Sequence, residues 1–261
     1  MAVVTPALEI IGVSKRFGGL IAVDDVSFSV ERGGICSLIG PNGAGKTTLF
    51  NLISAVFRPS GGRILFEGRD LARTPTHALA GLGVARTFQN LAVFRHETVV
   101  DNILVGMHAR LSSGPLSAAL FWGRARAEEI KARERVEEII DFLEIEAVRD
   151  HPVGSLSYGL QKRVELGRAL AIAPRLLLLD EMVSGMNREE REDIARFILD
   201  LKEELGTTIL MVEHDMGVVM DISDRVFVMN QGRKIAEGAP SEVAQDEAVV
   251  AAYLGARRPA A

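Results

Sequence analysis

A glycine-rich loop between a predicted strand and a predicted helix constrains this chain more than any other feature. The loop reads GPNGAGKTT at residues 40–48; an apolar β-like run, Ile35–Ile39, precedes it and a helix-compatible run, 48–53, follows it. Glycines allow a tight turn and close approach of the backbone to a polyphosphate. The N–H groups of such a loop and of the helix start face an anion with partial positive charge. The pattern G-x-x-x-x-G-K-[ST] in this context predicts a phosphate-binding loop.

Within this loop, two side chains have predicted roles of their own. Lys46 would place a full positive charge near the terminal phosphates, and the Thr47 hydroxyl would hold Mg²⁺. The alternative is an ordinary glycine turn before a helix, which the strand and helix context disfavours. The predicted nucleotide-binding residues of the loop are Gly40, Pro41, Asn42, Gly43, Ala44, Gly45, Lys46, Thr47 and Thr48.

Composition limits the class of protein. The 261 residues suffice for one large domain or two small ones, and 48% hydrophobic with 25% charged residues is typical of a globular protein. The net charge of −5 argues against broad binding to nucleic acid or to an anionic membrane. No uncharged apolar run spans a bilayer, the first residues lack a signal-peptide pattern, and the single cysteine, Cys36, lies in a predicted core strand. A cytoplasmic location is therefore expected.

The remaining pattern predicts an α/β fold. Short strands at 8–13, 22–30 and 63–68 suggest an antiparallel layer. The residue pattern from 90 to 155 predicts helices, with apolar residues at helical spacing in 128–143. After residue 155, strands and helices alternate again.

The predicted strands of this last part comprise the buried-type runs 176–179 and 208–212, and a hairpin whose strands 225–229 and 233–236 flank a turn at 230–232. Such alternation predicts a mostly parallel sheet covered on both faces.

Asp180 and Glu181 follow a run of four leucines directly. A strand that ends in Asp-Glu beside a phosphate loop suits nucleotide hydrolysis, with Asp180 holding Mg²⁺ and Glu181 orienting or deprotonating the attacking water. The alternative is a pair of surface acids at a strand end. The apolar run and the phosphate loop favour the catalytic interpretation.

Other candidate residues are weaker in isolation. Ser157 and Gly159 open a predicted helix and form a possible anion-binding end, although serine is also a common helix cap. His214 follows the strand 208–212 and would donate to a γ-phosphate. Gln89 carries little signal alone, and Phe17 is either a base-stacking residue or a core residue.

Taken in order, the motifs resemble those of the ATPase subunits of ATP-binding-cassette (ABC) transporters. The resemblance covers nearly the whole chain and rests on GPNGAGKTT, Gln89, LSYGL at 156–160, LLLLDE at 176–181, SGMN at 184–187 and VEHD at 212–215. The sequence is most similar to the ATPases of branched-chain amino acid importers. The features that favour this branch are Tyr158, Asn187, EHDM at 213–216, ISDR at 222–225, YLG at 253–255 and the insertion at 107–128.

The resemblance implies a RecA-like P-loop core with an antiparallel β subdomain and an α-helical subdomain, the ABC ATPase cassette. One domain would span residues 1–255, with the nucleotide-binding core and its β layer in 1–89 and 156–254. The helical subdomain with its insertion would be 90–155. A flexible tail, 255–261, would follow the core.

It also implies residue roles. Phe17 would stack on the adenine of ATP, Gln89 would contact Mg²⁺ or water and sense the membrane subunits, and Asp180 would bind Mg²⁺. Glu181 would be the catalytic carboxylate and His214 the switch histidine. Two ATPase subunits would pack head to tail, so that Ser157 and Gly159 of one meet the γ-phosphate of ATP bound to the other, and the loop 184–187 would cross between the two sites.

The implied partners are a second ABC ATPase subunit, identical or different, transmembrane permease subunits and, indirectly, a periplasmic or extracellular substrate-binding protein, with no nucleic acid. The chain would lie peripherally on the inner face of the cell membrane. Alternatives are the ATPase of a lipid or polysaccharide exporter and a non-transport ABC ATPase that acts on DNA or ribosomes. The negative net charge, and the lack of long coiled coils or a second cassette, disfavour the last.

The sequence departs from the family pattern at two positions. Leu160 stands where the signature motif has Gln, so a side-chain hydrogen bond from that position is not expected. Met182 follows Asp180-Glu181 where most relatives have proline. Because proline lacks an N–H and has a fixed φ, the change predicts slower or less tightly coupled hydrolysis at most.

Overall fold

The structure is a computed structural model that describes residues 6–87, 91–110 and 124–255. Gln89 and part of the insertion at 107–128 lie outside the described residues. The strands are β1 (Leu8–Phe17), β2 (Leu20–Val30), β3 (Ile35–Ile39), β4 (Gly61–Phe66), β5 (Arg69–Asp70), β6 (Val84–Arg86), β7 (Leu176–Asp180), β8 (Thr208–Val212), β9 (Arg225–Asn230) and β10 (Arg233–Gly238). The helices are α1 (Lys46–Ile53), α2 (Val99–Gly106), α3 (Arg124–Phe142), α4 (Tyr158–Leu170), α5 (Arg188–Glu203), α6 (Met216–Ile222), α7 (Pro240–Val243) and α8 (Glu247–Gly255).

The strands form two sheets. A 4-stranded sheet has the order β2-β1-β4-β5, and its neighbouring strands are antiparallel. A 6-stranded sheet has the order β10-β9-β3-β8-β7-β6 and is parallel apart from the hairpin of β9 and β10. The predicted antiparallel layer, mostly parallel sheet and hairpin are thus confirmed.

The order of the 6-stranded sheet brings distant sequence segments together. β3, β8 and β7 are adjacent and parallel, so their carboxyl ends meet at one edge of the sheet. In open α/β sheets this edge is the usual position of a ligand site. The phosphate loop, Glu213-His214 and Asp180-Glu181 all follow these strand ends.

The leucine run of β7 is explained by burial on both faces of the sheet. Leu176 and Leu178 pack in one hydrophobic cluster, together with α1 and the 4-stranded sheet. Leu177 and Leu179 pack in a second cluster, together with α2 to α6. Because alternate side chains of a strand point to opposite faces, a strand between two such layers needs a continuous apolar run.

Helix starts follow the expected capping chemistry. The Thr98 hydroxyl accepts from the Asp101 N–H at the start of α2. Asn187 and Glu190 form a reciprocal capping box at the start of α5.

Within the described ranges, no helix has the length and hydropathy needed to cross a membrane.

Candidate active site

The phosphate loop needs its glycines because the backbone is tightly packed there. Gly40 has φ +149, and a Cβ on it would lie 2.1 Å from the Met229 carbonyl oxygen. Gly45, directly before α1, has φ +99, and its Cβ would lie 2.4 Å from the Ala22 carbonyl oxygen. Any side chain at either position would therefore push β9 or β2 away from the loop.

Lys46 is buried at the start of α1, with 6% of its surface exposed. Its Nζ donates to the carbonyl oxygens of Gly40, at 2.7 Å, and Pro41, at 3.1 Å. Burial lowers the pKa of Lys46, while the nearby charge of Glu181 raises it. The loop therefore holds a cationic side chain at the place where a bound anion would need one.

A cavity of about 630 Å³ opens beside this loop. Residues 42–48 line it together with Glu181 and His214, so the structure brings these predicted residues into one site. The His214 Nε2 and the Glu181 Oε1 are 2.8 Å apart. Glu181 adopts φ +51, a left-handed conformation that is uncommon outside glycine, and its N–H donates to the Val212 carbonyl at 2.9 Å.

Asp180, at the end of β7, is buried and paired with a cation. Its Oδ2 accepts from Arg86 Nη2 at 2.7 Å, and Arg86 Nη1 reaches Asn51 and Ser54 of the α1 region at 2.7 and 2.6 Å. The Thr87 hydroxyl accepts from the Asp180 N–H at 3.2 Å. Arg86 therefore ties the metal-binding candidate to α1, the helix that follows the phosphate loop, a connection that sequence reasoning missed.

The second predicted anion site lies at the start of α4. The Ser157 hydroxyl accepts from the Leu160 N–H at 3.3 Å and so caps the helix. A Cβ on Gly159 would lie 2.3 Å from Glu190 Oε1, while the ring of Tyr158 lies against Gly185. The start of α4 thus packs on the loop 184–187 and on the first turn of α5.

Comparison with known proteins identifies the family. The profile described as "ABC transporter" matches residues 23–184. The chain belongs to the ABC transporter family. A further profile, "Branched-chain amino acid ATP-binding cassette transporter", matches residues 233–258 of this cassette.

Relatives and solved structures agree with this assignment. BraF of Pseudomonas aeruginosa, a high-affinity branched-chain amino acid transport ATP-binding protein, is 40% identical over 96% of this cassette and 98% of BraF. LivG of Escherichia coli, with the same description, is 39% identical over 96% of this cassette and 98% of LivG. The ADP conformation of MJ1267, an ATP-binding cassette of an ABC transporter, has a TM-score of 0.84 at 34% identity and covers 96% of this cassette and 99% of MJ1267. The predicted family, cassette fold and ATPase activity are confirmed.

The donor chemistry of the cassette fits Mg²⁺. Thr47 and Asp180 offer oxygen atoms, which Mg²⁺ prefers, and the Asp180 carboxylate already stabilises the positive charge of Arg86. Within the described part of the chain, no group of three or more His, Cys, Asp or Glu side chains could hold a metal. Thr47 and Asp180 would therefore be few protein ligands, and phosphate oxygens and water would complete the shell of Mg²⁺.

Phe17 lies at the end of β1 and is 41% exposed, so the core interpretation is wrong. Its ring packs edge-on against Phe57, with centroids 5.3 Å apart, and Lys15 Nζ lies 4.9 Å from the ring centroid. Stacking on adenine stays a prediction for this residue.

Sequence reasoning missed several residues of the nucleotide cavity. Leu20, Ile21, Gln231 and Gly232 line it. The Gly232 N–H donates to the Ala44 carbonyl at 3.0 Å. A turn signal at 230–232 was visible in the sequence, but its pairing with the phosphate loop depends on the order of strands in the sheet.

A residue near the end of the chain also contacts the loop. Burial raises the pKa of Tyr253, on α8, and the nearby Gly40 N–H opposes that rise. Ala251 and Ala252 of the same helix line a cavity together with residues 41–44. The C-terminal segment therefore lies against the phosphate loop.

Proposed function

We propose that this cassette hydrolyses ATP to drive the import of branched-chain amino acids. The observation that carries the proposal is the Glu181–His214 pair, 2.8 Å apart, in the cavity lined by the phosphate loop. The names of the relatives and the C-terminal profile support the choice of branched-chain amino acids.

The chain's own residues would divide the chemistry as follows. Loop N–H groups and Lys46 bind the phosphates. Glu181 orients the attacking water and accepts its proton, and His214, fixed by its bond to Glu181, donates to the γ-phosphate. Thr47, Asp180 and, by resemblance, Gln89 would hold Mg²⁺, which offsets phosphate charge during transfer.

The assembly follows from the second helix start. Ser157 and Gly159 would bind the γ-phosphate of ATP held by a second cassette packed head to tail. ATP would then join the two subunits, and hydrolysis would release them, because the two states differ in affinity for each other. The helical subdomain, 90–155, would dock on permease subunits, which places the cassette peripherally at the inner face of the membrane.

The central test replaces Glu181 with glutamine. Because only water activation is lost, we expect ATP hydrolysis to fall by about 10² to 10⁴, with ATP affinity retained and the ATP-bound dimer stabilised. Glu192→Gln, on the exposed face of α5, is the control and keeps normal turnover. Hydrolysis rate, nucleotide titration and size-exclusion chromatography with ATP are the measurements. Near-normal turnover of the Glu181 variant contradicts the assignment.

A second measurement tests the transport role. Affinity purification from detergent-solubilised membranes is expected to recover permease subunits, and ATP hydrolysis by that complex in proteoliposomes is expected to drive uptake of radiolabelled leucine. Uptake of no branched-chain amino acid, or recovery of a lipid exporter instead, contradicts the substrate proposed.

A further inference from the structure

Glu213 is a buried acid that the mechanism above does not use. It lies between the end of β8 and His214, and 3% of its surface is exposed. Burial raises the pKa of its carboxyl to about 7, and hydrogen bonds from backbone N–H groups oppose that rise. A buried carboxyl group is costly unless its oxygens are well satisfied, so its partners indicate its purpose.

The partners of Glu213 come from the segment that follows the catalytic acid. Oε1 accepts the Val183 N–H at 3.1 Å. The backbone N–H groups of Met182 and His214 also lower the pKa of the carboxyl, so they lie close to it. The Glu213 carboxylate thus holds the turn on the far side of Glu181 and lies beside the backbone of His214.

The backbone of Glu181 explains why such a hold is needed. Its φ of +51 lies in the left-handed region, which costs about 1 kcal/mol or more for a residue with a Cβ. Successive N–H groups next to such a turn converge and form a concavity that binds an anion. The Glu213 carboxylate accepts from one of these N–H groups, that of Val183, and so ties the turn after Glu181 to the end of β8.

The same carboxylate fixes the other half of the catalytic pair. The distance between Glu181 Oε1 and His214 Nε2 depends on how the two loops after β7 and β8 are placed. The Glu181 N–H to Val212 carbonyl bond, at 2.9 Å, joins these loops at their base. The Glu213 carboxylate joins them beyond Glu181, so the pair is held from both sides.

We infer that Glu213 is a positioning residue for hydrolysis, whose carboxylate binds the turn after Glu181 and the backbone of His214 and so sets the geometry of the Glu181–His214 pair. The inference rests on the proposed function, in which Glu181 is the catalytic carboxylate. It also gives Met182 a role: its N–H lowers the pKa of Glu213 and so favours the carboxylate, and a proline at this position has no N–H.

The test uses the full-length protein with Glu213→Gln, Glu213→Ala and Met182→Pro, and with Glu192→Gln as the control. A hydrogen bond to a charged group contributes enough stability that its loss should loosen the turn. We therefore expect single-turnover hydrolysis to be about tenfold slower in Glu213→Gln and slower still in Glu213→Ala. Met182→Pro, which loses one donor, is expected to fall between Glu213→Gln and the parent. Affinity for a fluorescent ATP analogue stays within about twofold, since the phosphate loop is intact.

A direct readout accompanies the kinetics. Hydrogen exchange of the Val183 amide is expected to be about tenfold faster in Glu213→Gln than in the control, because this N–H loses its carboxylate acceptor. A parallel loss of nucleotide affinity and hydrolysis, or unchanged exchange and hydrolysis in both Glu213 variants, overturns the inference. If the parent itself fails to hydrolyse ATP, the proposed function is wrong, while the exchange measurement still decides whether Glu213 holds the turn.

Discussion

Two helix starts of this cassette are both predicted to bind phosphate, but they are built differently. α1 follows a glycine loop in which Lys46 is buried and bonded to the loop's own carbonyl groups. α4 begins at an exposed serine cap, and the side chain that packs against Gly159 is the Glu190 carboxylate. One start therefore has a cation within its loop, and the other has an acid beside it.

The difference in charge suggests a division of labour. A helix start with a lysine can hold a polyphosphate alone, because the fixed charge adds to the partial charges of the N–H groups. A helix start beside a carboxylate is less attractive to a free anion. It suits an anion already held and neutralised elsewhere, as in the proposed dimer, where the other subunit supplies Lys46 and Mg²⁺.

The largest expected effect comes from removing the cation of the first start. Lys46→Ala should weaken ATP binding by about 100-fold, the upper range for a hydrogen bond between charged groups. Ser157→Ala should leave the ATP affinity of the single subunit within about twofold, since Ser157 caps α4 and is not part of the phosphate loop. Fluorescent nucleotide titration measures both. Equal effects of the two variants would remove the distinction between the starts.

The pH dependence of stability gives the next largest effect, because the buried acid Glu213 precedes His214 of the cavity beside the phosphate loop. Its folded pKa of about 7 exceeds the ordinary value of 4.5. The folded state therefore retains the proton longer than the unfolded state, and the group's stabilising contribution, full below pH 4.5, is lost as pH rises to about 7.

We expect this group to lower the free energy of unfolding by about 2 kcal/mol between pH 5 and pH 7. Glu181, whose charge adds to the rise in pKa, stays in the variant Glu213→Gln, which should lose this part of the slope. Glu190→Gln, beside α4, should keep it. Urea unfolding at several pH values measures the slope, and an unchanged slope in Glu213→Gln contradicts the prediction.

The packing at Gly159 gives a smaller effect. A Cβ there would lie 2.3 Å from Glu190 Oε1, so Gly159→Ala must shift the first turn of α4 or α5. ATP-dependent dimerisation in the Glu181→Gln background should weaken about tenfold, by analogy with other local packing losses of 1–2 kcal/mol. Gly81→Ala is the control, since a Cβ there meets nothing within 4 Å. Analytical ultracentrifugation with ATP distinguishes them; equal dimerisation would show that the contact is unimportant.

The smallest expected effect is on nucleotide affinity and compares the two tyrosines of the chain, Tyr253 near the phosphate loop and Tyr158 at the start of α4. Tyr253→Phe removes the hydroxyl beside the Gly40 N–H and should weaken nucleotide binding by at most about fivefold, which corresponds to about 1 kcal/mol. Tyr158→Phe, at the start of α4, should leave the affinity of the single subunit unchanged. Isothermal titration of both variants checks the pair, and a larger loss in Tyr158→Phe reverses the comparison.

What the sequence could predict follows from how local each feature is. The phosphate loop, the acids after β7 and the serine cap of α4 are fixed by neighbours within a few residues, so their patterns were visible in the sequence. Arg86, Glu213 and Tyr253 act on residues far away along the chain: Arg86 on Asp180, and Tyr253 on Gly40. Their roles depend on strand order and on docking of α8, which no local pattern encodes.

Met182 illustrates the limit in another way. Its departure from proline predicted a looser backbone and slower hydrolysis. The structure places Met182 in the core, and its N–H lowers the pKa of Glu213. The consequence for the rate stays a prediction, but its physical basis changes from freedom of φ to an N–H group that proline lacks.

Cys36, in β3, has a practical consequence. It is the only cysteine of the chain, 3% of its surface is exposed, and burial raises the pKa of its thiol to about 12. Because thiolates are the reactive form, maleimide and nitroxide reagents will leave it unmodified at neutral pH. A cysteine introduced at an exposed position such as Arg188 can then carry a single spectroscopic label, and distance measurements between two labelled copies can follow the approach of the subunits in real time.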